Sequence, residues 1–422
     1  MAGDNDTTRL GRPTRRKYVK YGGAVIGGGL LAGCASDSGM NAEGTVTTSE
    51  TGTETDDGTG TTNDDKTTTE ADGSYTVTMS PMGTVEFEGV PESAMTYSQL
   101  YTDAAVALGH GSAVNSLGFS WYGDILDFFY ESLDGVSFDS SSLPQVYSNG
   151  LDKEIFYELD SDVHFMDPTW PLSSAFGWKG SDVEEIAENV GPWFGNSYSR
   201  LHSDPPSAYD GEYEYYSLWE IVEKVAAVFR ERERYEALAD LHATLLNDVE
   251  SALPAKSERP SVALTMYYEG RFRVYFLNDP GYARSFTRPF GAADAFADAD
   301  GIKENSGWVD MEGMLELNPD VILQFWGITP DTNMADLRAE LEGNAVGQRL
   351  AAVANGRVYA SGVGGQGPIM NLFQLEMTAK QLYPEQFGEW PGYTDGEPYP
   401  EIPEEEQLFD HQRVADIVNG EF

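Results

Sequence analysis

The residues of this chain best suited to hold another molecule are aromatic and cationic, and they fall in short clusters. These are Ser120-Trp121-Tyr122, Asp167-Pro168-Thr169-Trp170, Tyr267-Tyr268 with Arg271, Trp326-Gly327, and Gly364-Gly365-Gln366. Aromatic walls with a few polar or cationic groups suit a bulky, flat ligand. Arg271, Arg273 and Arg284 are conspicuous because the 422 residues include 26 Lys and Arg against 70 Asp and Glu, for a net charge of −44. A carboxylated or otherwise anionic ligand would account for them; pairing with neighbouring acids is the structural alternative. The candidate ligand contacts are therefore Trp121, Tyr122, Trp170, Tyr267, Tyr268, Arg271, Arg284, Trp326 and Gln366.

Other chemistries find less support. Five histidines exist, and only His110, His164 and His202 could converge on an ion; His242 sits on a predicted helix and His411 near the chain end. Because His164 falls in a predicted buried strand, it reads first as a core residue, and no resident metal is expected. Gly362-Val363-Gly364-Gly365-Gln366-Gly367 matches a dinucleotide fingerprint, but it lies late in the chain, lacks the acidic partner and runs into Pro368. There is no Gly-x-Ser-x-Gly elbow and no Walker loop. The sequence thus predicts neither an enzyme nor a cofactor, and its negative charge argues against nucleic acid as a partner.

These clusters need a scaffold that places them together. Tyr75 to Glu88 alternates around Pro81-Met82-Gly83, which predicts a hairpin. Strands are predicted at Ala94–Ser98, Val114–Phe119, Asp162–Met166, Ser261–Tyr268, Val321–Phe325 and Arg357–Ala360, separated by helical stretches, the pattern of parallel α/β sheets. Each cluster then lies at or just beyond the carboxyl end of a strand, where loops converge on a crevice. Residues 152–163 overlay residues 310–321 at a constant offset of 158, with six of 12 positions identical. Each copy reads as an Asp cap, two helical turns, a tight turn and a buried strand, so two related lobes are expected. Between them, 216–254 is helical, with Pro254 as its stop, and Arg230–Arg234 is a candidate break. A helix from Tyr235 would span about 27 Å, roughly one lobe's width.

The N-terminus reads as an address. Thr14-Arg15-Arg16-Lys17 precedes a short apolar run, Gly22 to Gly33, too brief to cross a bilayer; a charged start followed by such a run is an export signal, here with twin arginines. Leu31-Ala32-Gly33-Cys34 marks Cys34, the single cysteine, for lipid attachment. Ala35 to Ser74 holds 12 Thr and ten acidic residues with no aromatic, a composition that cannot support a core and reads as a stalk. The expected division is 1–33 signal, 34–74 stalk, 75–215 first lobe, 216–254 helical connection and 255–422 second lobe with an acidic tail. The acidic surface fits a cell living in concentrated salt.

Taken together, the segments Thr84-Val85-Glu86-Phe87 with Pro91-Glu92, Asp152 to Val163, Leu315 to Ile322 and Ala354-Asn355-Gly356-Arg357-Val358-Tyr359 resemble the substrate-binding lipoproteins of ABC importers for iron–siderophores, haem and cobalamin. Gly367-Pro368, Leu375-Glu376 and Leu382-Tyr383-Pro384-Glu385 continue the pattern, which holds in order over residues 75–422. The stretch from Asp167 to Tyr216 is longer and more aromatic than that pattern. The resemblance implies an α/β fold of two Rossmann-like lobes with parallel sheets, one bridging helix and a ligand cleft between them. It implies a monomer, anchored outside the cytoplasmic membrane, that hands its cargo to an ABC permease dimer and ATPase. Glu154 and Glu312, at matching places in the repeat, would dock on that permease. The implied cargo is a metal chelate of the ferric siderophore type, then cobalamin or haem, with a bare metal ion as the remaining alternative.

Overall fold

In the computed structural model, residues 73–147, 150–297 and 307–422 are described. Cys34, the signal segment and nearly all of the stalk lie outside the described residues. From Tyr75 the chain forms the expected hairpin, β1 (Tyr75–Met79) and β2 (Gly83–Phe87), paired antiparallel. There follow β3 (Ala94–Thr96), α1 (Gln99–Ala107), β4 (Val114–Ser116), α2 (Trp121–Tyr130), α3 (Lys153–Leu159), β5 (Val163–Phe165) and α4 (Gly180–Asn189). The sheet runs β4-β3-β5 and is wholly parallel, and Trp193 adds a parallel bridge beside His164.

Helices α5 (Leu218–Phe229) and α6 (Arg232–Ala252) cross to the second lobe. The break is at Arg230, whose backbone is left-handed (φ 59), and the long helix starts three residues before the expected Tyr235. At 1.5 Å per residue α6 is about 31 Å long. Leu238, Leu245 and Val249 form its buried stripe, and Trp219 of α5 stacks on His242 of α6 at 4.4 Å.

The second lobe comprises β6 (Ser261–Tyr268), β7 (Arg271–Tyr275), β8 (Ala293–Asp294), β9 (Trp308–Val309), α7 (Met311–Leu317), β10 (Val321–Gln324), α8 (Met334–Gly343), α9 (Ala351–Ala354) and β11 (Val358–Ala360). It continues through α10 (Pro368–Leu382), α11 (Pro384–Phe387) and α12 (His411–Asn419). Its sheet runs β11-β10-β6-β7-β9, with β8 on β6. Strands β11, β10, β6 and β8 are parallel; β7 runs antiparallel to both of its neighbours, β6 and β9, so this sheet is mixed where parallel sheets were expected. The cause is local. Glu269 (φ 49) and Gly270 (φ 80) are both left-handed, the two-residue turn that folds β7 straight back along β6.

The internal repeat is reproduced residue by residue. Asp152 caps α3 and Asp310 caps α7 through their side chains; Asp160 (φ 45) and Asn318 (φ 45) end those helices in the left-handed conformation. Asp162 then accepts from the Ser93 amide, and Asp320 from the Ser261 amide, each at 2.9 Å, pinning the entry of the neighbouring strand. Short polar side chains tolerate the left-handed turn and supply such local acceptors, which suits Asp and Asn to these points.

Helix α10 is buried along its whole length. It packs on α1 and α2 of the first lobe as well as on α5 and α6. Asp103 of α1, fully buried, receives the Tyr130 hydroxyl (2.7 Å) and the Met370 amide (3.1 Å), with the Ile369 and Gly367 amides beside it. A carboxylate thus caps the start of a helix from the other end of the chain. Gly367 permits the approach: a Cβ there would lie 2.5 Å from Asp103 Cβ and 2.8 Å from the Leu100 carbonyl oxygen. The acidic residues after 386 run back over this helix. Buried Glu376 of α10 receives the Leu408 amide (2.6 Å) and the Tyr399 hydroxyl (3.0 Å) and bonds His411 Nε2 (3.0 Å), and α12 packs on α6 and α1. Among the described residues no helix is long and apolar enough to cross a membrane.

Burial pushes Asp103 up to about 7 against its hydrogen bonds, and burial with the acids Asp124, Glu131 and Asp139 pushes Asp127 up to about 6. Both lie above the unfolded value of about 3.9, so the folded state keeps these protons longer than the unfolded one. Their contribution is complete below about pH 4 and is lost as pH rises through those folded values. At fixed salt, the urea midpoint should therefore rise between pH 7.5 and 5, and Asp103→Asn should flatten that rise; a midpoint falling over this interval would contradict the assignment. Asp103→Ala, which strands the Tyr130 hydroxyl and the α10 amides, should cost roughly 3 kcal/mol at pH 7.

Candidate functional site

The loops after the first lobe's strands carry rings that touch in series. Trp170, after β5, meets Tyr97, after β3, at 4.3 Å between centroids; Tyr97 meets Phe119 at 6.2 Å; Phe119 meets Trp121 and Tyr122 at 5.9 and 5.2 Å. Trp121, 39% exposed, then crosses to the second lobe and meets Trp326 edge-on at 5.6 Å. Behind Trp326 come Phe325 at 6.0 Å and Tyr275 at 4.8 Å from Phe325. Trp326 has a left-handed backbone (φ 59), which a bulky residue adopts at a cost of order 1–3 kcal/mol. It is held there by its amide on the Gly362 carbonyl (3.0 Å) and by the Thr332 hydroxyl on its own carbonyl (2.8 Å).

Three arginines gather around Tyr275. Arg284 lies over the Phe325 ring (4.8 Å) and the Tyr275 ring (5.5 Å), and Arg273 over Tyr275 at 5.5 Å. Arg200, from the first lobe, donates its Nε to the Gly364 carbonyl (3.1 Å) and acts electrostatically on both Tyr275 and Arg284. None of the three is in a salt bridge among the described residues. Burial, then the charge of Arg200, lowers Arg284 to about 10. Clustered cations that lack ion pairs form a receptor for negative charge, and the rings beside them offer flat apolar area.

Asp167 sets the geometry of the first wall. Fully buried, it receives the Thr169 amide (2.8 Å) and hydroxyl (2.7 Å) through one oxygen, and the Ser197 amide (2.8 Å) and the Tyr213 hydroxyl through the other. One carboxylate therefore joins the loop bearing Trp170 to the segment bearing Arg200. Burial raises Asp167, and these four bonds oppose the rise.

Of the residues expected at the site, Trp121, Tyr122, Trp170, Trp326 and Arg284 belong to this assembly. Tyr267, Tyr268 and Arg271 sit at the far end of the β6–β7 hairpin. Tyr267 bonds Glu340 (2.6 Å), Tyr268 is 63% exposed, and Arg271 lies over Trp308. Gln366 is buried and spends its amide on protein, giving Nε2 to the Tyr282 carbonyl (3.0 Å) and receiving Asn371 (2.9 Å) and Gln374 (3.1 Å). It is a strut between the loop at 282 and α10. Tyr97, Phe119, Tyr275 and Arg200 were not singled out. Arg200 follows the Trp193 bridge, a fourth parallel position too short to read as a strand, although its place beyond a carboxyl end obeys the same rule. Glu154 and Glu312 are both exposed in the first turns of α3 and α7. The three histidines weighed for metal do not converge. His110 bonds Glu231 (3.1 Å), His164 is buried in β5 with its pKa pushed down to about 3, and His202 lies against Tyr215. No cluster of three or more His, Cys, Asp or Glu that could hold a metal occurs among the described residues.

Residues 190–362 match the family model described as periplasmic binding protein. Among solved structures, the chain is similar to an iron uptake ABC transporter substrate-binding protein, PiuA, from Streptococcus pneumoniae Canada MDR_19A. The identity is 16%, with 75% of this chain and 99% of that chain covered and a TM-score of 0.51. It is also similar to the periplasmic catecholate-siderophore binding protein VctP from Vibrio cholerae, at 14% identity, 70% and 97% coverage and a TM-score of 0.48. No curated protein matches the chain. The family match lies within the span that carries the sequence resemblance, and the likeness to the first of these structures supports the two-lobed α/β fold.

If Asp167 holds the wall together, Asp167→Ala should raise amide hydrogen exchange at residues 168–172 and 195–200 by about tenfold, one lost hydrogen bond's worth, while β6 and β10 keep their protection. Unchanged exchange in both loops would show that other contacts fix them.

Proposed function

We propose that this chain, whose residues 190–362 carry the periplasmic-binding-protein match, is the extracytoplasmic solute receptor of an ABC importer, with an anionic ferric-siderophore chelate as its cargo. The observation that carries this reading is the meeting of Trp121 and Trp326 from opposite lobes beside Arg200, Arg273 and Arg284. A guest entering there replaces a ring–ring contact with its own flat surface and brings negative charge to cations that lack ion pairs. Binding of this kind needs no bond-making step. Glu154 and Glu312, exposed on the two copies of the repeat, would meet cationic residues of the permease dimer, one from each lobe. Lipid attachment at Cys34, export by the twin-arginine route and a monomeric state complete the proposal.

Titration of intrinsic tryptophan fluorescence tests it directly, with a ferric catecholate, a ferric hydroxamate, cobalamin and haem as probes. The ferric chelates should quench saturably and be recovered unchanged, and Arg200→Ala should weaken the anionic catecholate complex at least tenfold, as expected for a charged hydrogen bond worth about 1.5–3 kcal/mol. Preferential binding of cobalamin or haem would reassign the cargo, and consumption of the ligand would end the receptor reading. Reversing both Glu154 and Glu312 to Lys should abolish uptake while affinity in the same titration stays within about twofold, the scatter of an exposed charge.

A further inference from the structure

A cavity lies at the lobe junction, sharing no lining residue with the wall of rings and arginines. Its volume is about 460 Å³, within the range of small-molecule sites. His202, Tyr215 and Tyr216 line it from the first lobe's aromatic segment, and Asn278, Gly281 and Arg288 from the second lobe. Gly281 packs against the segment bearing Arg200: a Cβ there would lie 2.5 Å from the Arg200 carbonyl oxygen. We propose that this cavity binds a small organic anion, a carboxylate on a flat apolar body.

In a chain of net charge −44, the one permanently charged residue of this wall is a cation. Arg288 Nη1 is fixed by the carbonyls of Asp279 (2.8 Å) and Gly281 (2.9 Å), which aims the guanidinium without neutralising it. Arg288 is exposed and in no salt bridge among the described residues. A carboxylate is the complement that a planar, oriented guanidinium selects. The flat body is set by the rings. His202 and Tyr215 lie 4.7 Å apart with 30° between their planes, and the Tyr215 hydroxyl is tied to the Ser203 carbonyl (3.1 Å), so the ring is held as a wall. Because the walls come from both lobes, an occupant would be gripped by segments that any lobe movement displaces.

Benzoate and benzylamine, equal in shape and opposite in charge, are the probes, titrated calorimetrically into the full chain at fixed salt. Benzoate should bind one per chain, with benzylamine at least tenfold weaker. Arg288→Gln should weaken benzoate at least tenfold, Arg288→Lys should restore part of the loss, and Tyr215→Leu should weaken it independently, with thermal midpoints confirming that each variant folds. Equal binding of the two probes, no binding of benzoate up to 10 mM (a bound set by an affinity of about 3 kcal/mol), or a loss caused by Arg200→Ala in place of Arg288→Gln would overturn the proposal.

Discussion

The contact between Asp103 and the start of α10 is the constraint on which the arrangement of the two lobes depends. Helix α10 belongs to the second lobe by sequence, yet its first amides are received by a carboxylate of the first lobe's α1, and all its residues are buried. A buried carboxylate is costly unless its hydrogen bonds are complete, and here a tyrosine hydroxyl and the amides of a helix start complete them. The same helix carries Glu376, which gathers the acidic end of the chain, and Gln374, whose amide oxygen receives the Val363 N–H. One buried rod therefore fixes the first lobe, the chain end and the loop at 361–366 together.

That rod, with α5 and α6, limits how the lobes can move. A hinge made of one flexible strand pair would swing widely, whereas helices packed against both lobes permit only small rotations. Across the face between the lobes Trp121 meets Trp326, a contact of edge on face worth about 1 kcal/mol beyond burial. A guest of the proposed receptor would have only to displace that contact and not to unpack a core, since the rings behind it are already fixed by their own neighbours. Trp326 is the more constrained of the pair, held in a left-handed turn by hydrogen bonds at its amide and its carbonyl, while Trp121 sits at the exposed first turn of α2.

Much of this order was legible in the chain because it is local. The paired Asp caps, the left-handed Asp160 and Asn318, and the buried strands after them are properties of 12 consecutive residues, so the repeat carries them in its spelling. The helix break at Arg230–Arg234 was equally visible in a run of charge between two apolar stripes. What escaped was set by partners distant in sequence. Gln366 looked like a loop residue awaiting a ligand, and its role as a strut depends on Tyr282 and Gln374. Arg200 gave no pattern of its own, because the element before it is a single bridge at Trp193 and its partner is a carbonyl 164 residues away. The antiparallel β7 was hidden by Glu269 at a turn position usually filled by Asn, Asp or Gly.

The electrostatics of the molecule set the arginines around Tyr275 against an acidic surface. A body of net charge −44 creates a field that repels an approaching anion, while the arginines at Tyr275 attract it only at contact. At low salt the long-range term governs encounter; near 1 M salt, screening acts within about 3 Å and only the contact term remains. For an anionic guest, then, salt should speed capture, the reverse of a receptor whose surface and pocket share the ligand's opposite charge. The buried position of Arg284 over Phe325 protects the short-range attraction from the same screening. In the proposed receptor an acidic surface and clustered arginines are thus compatible.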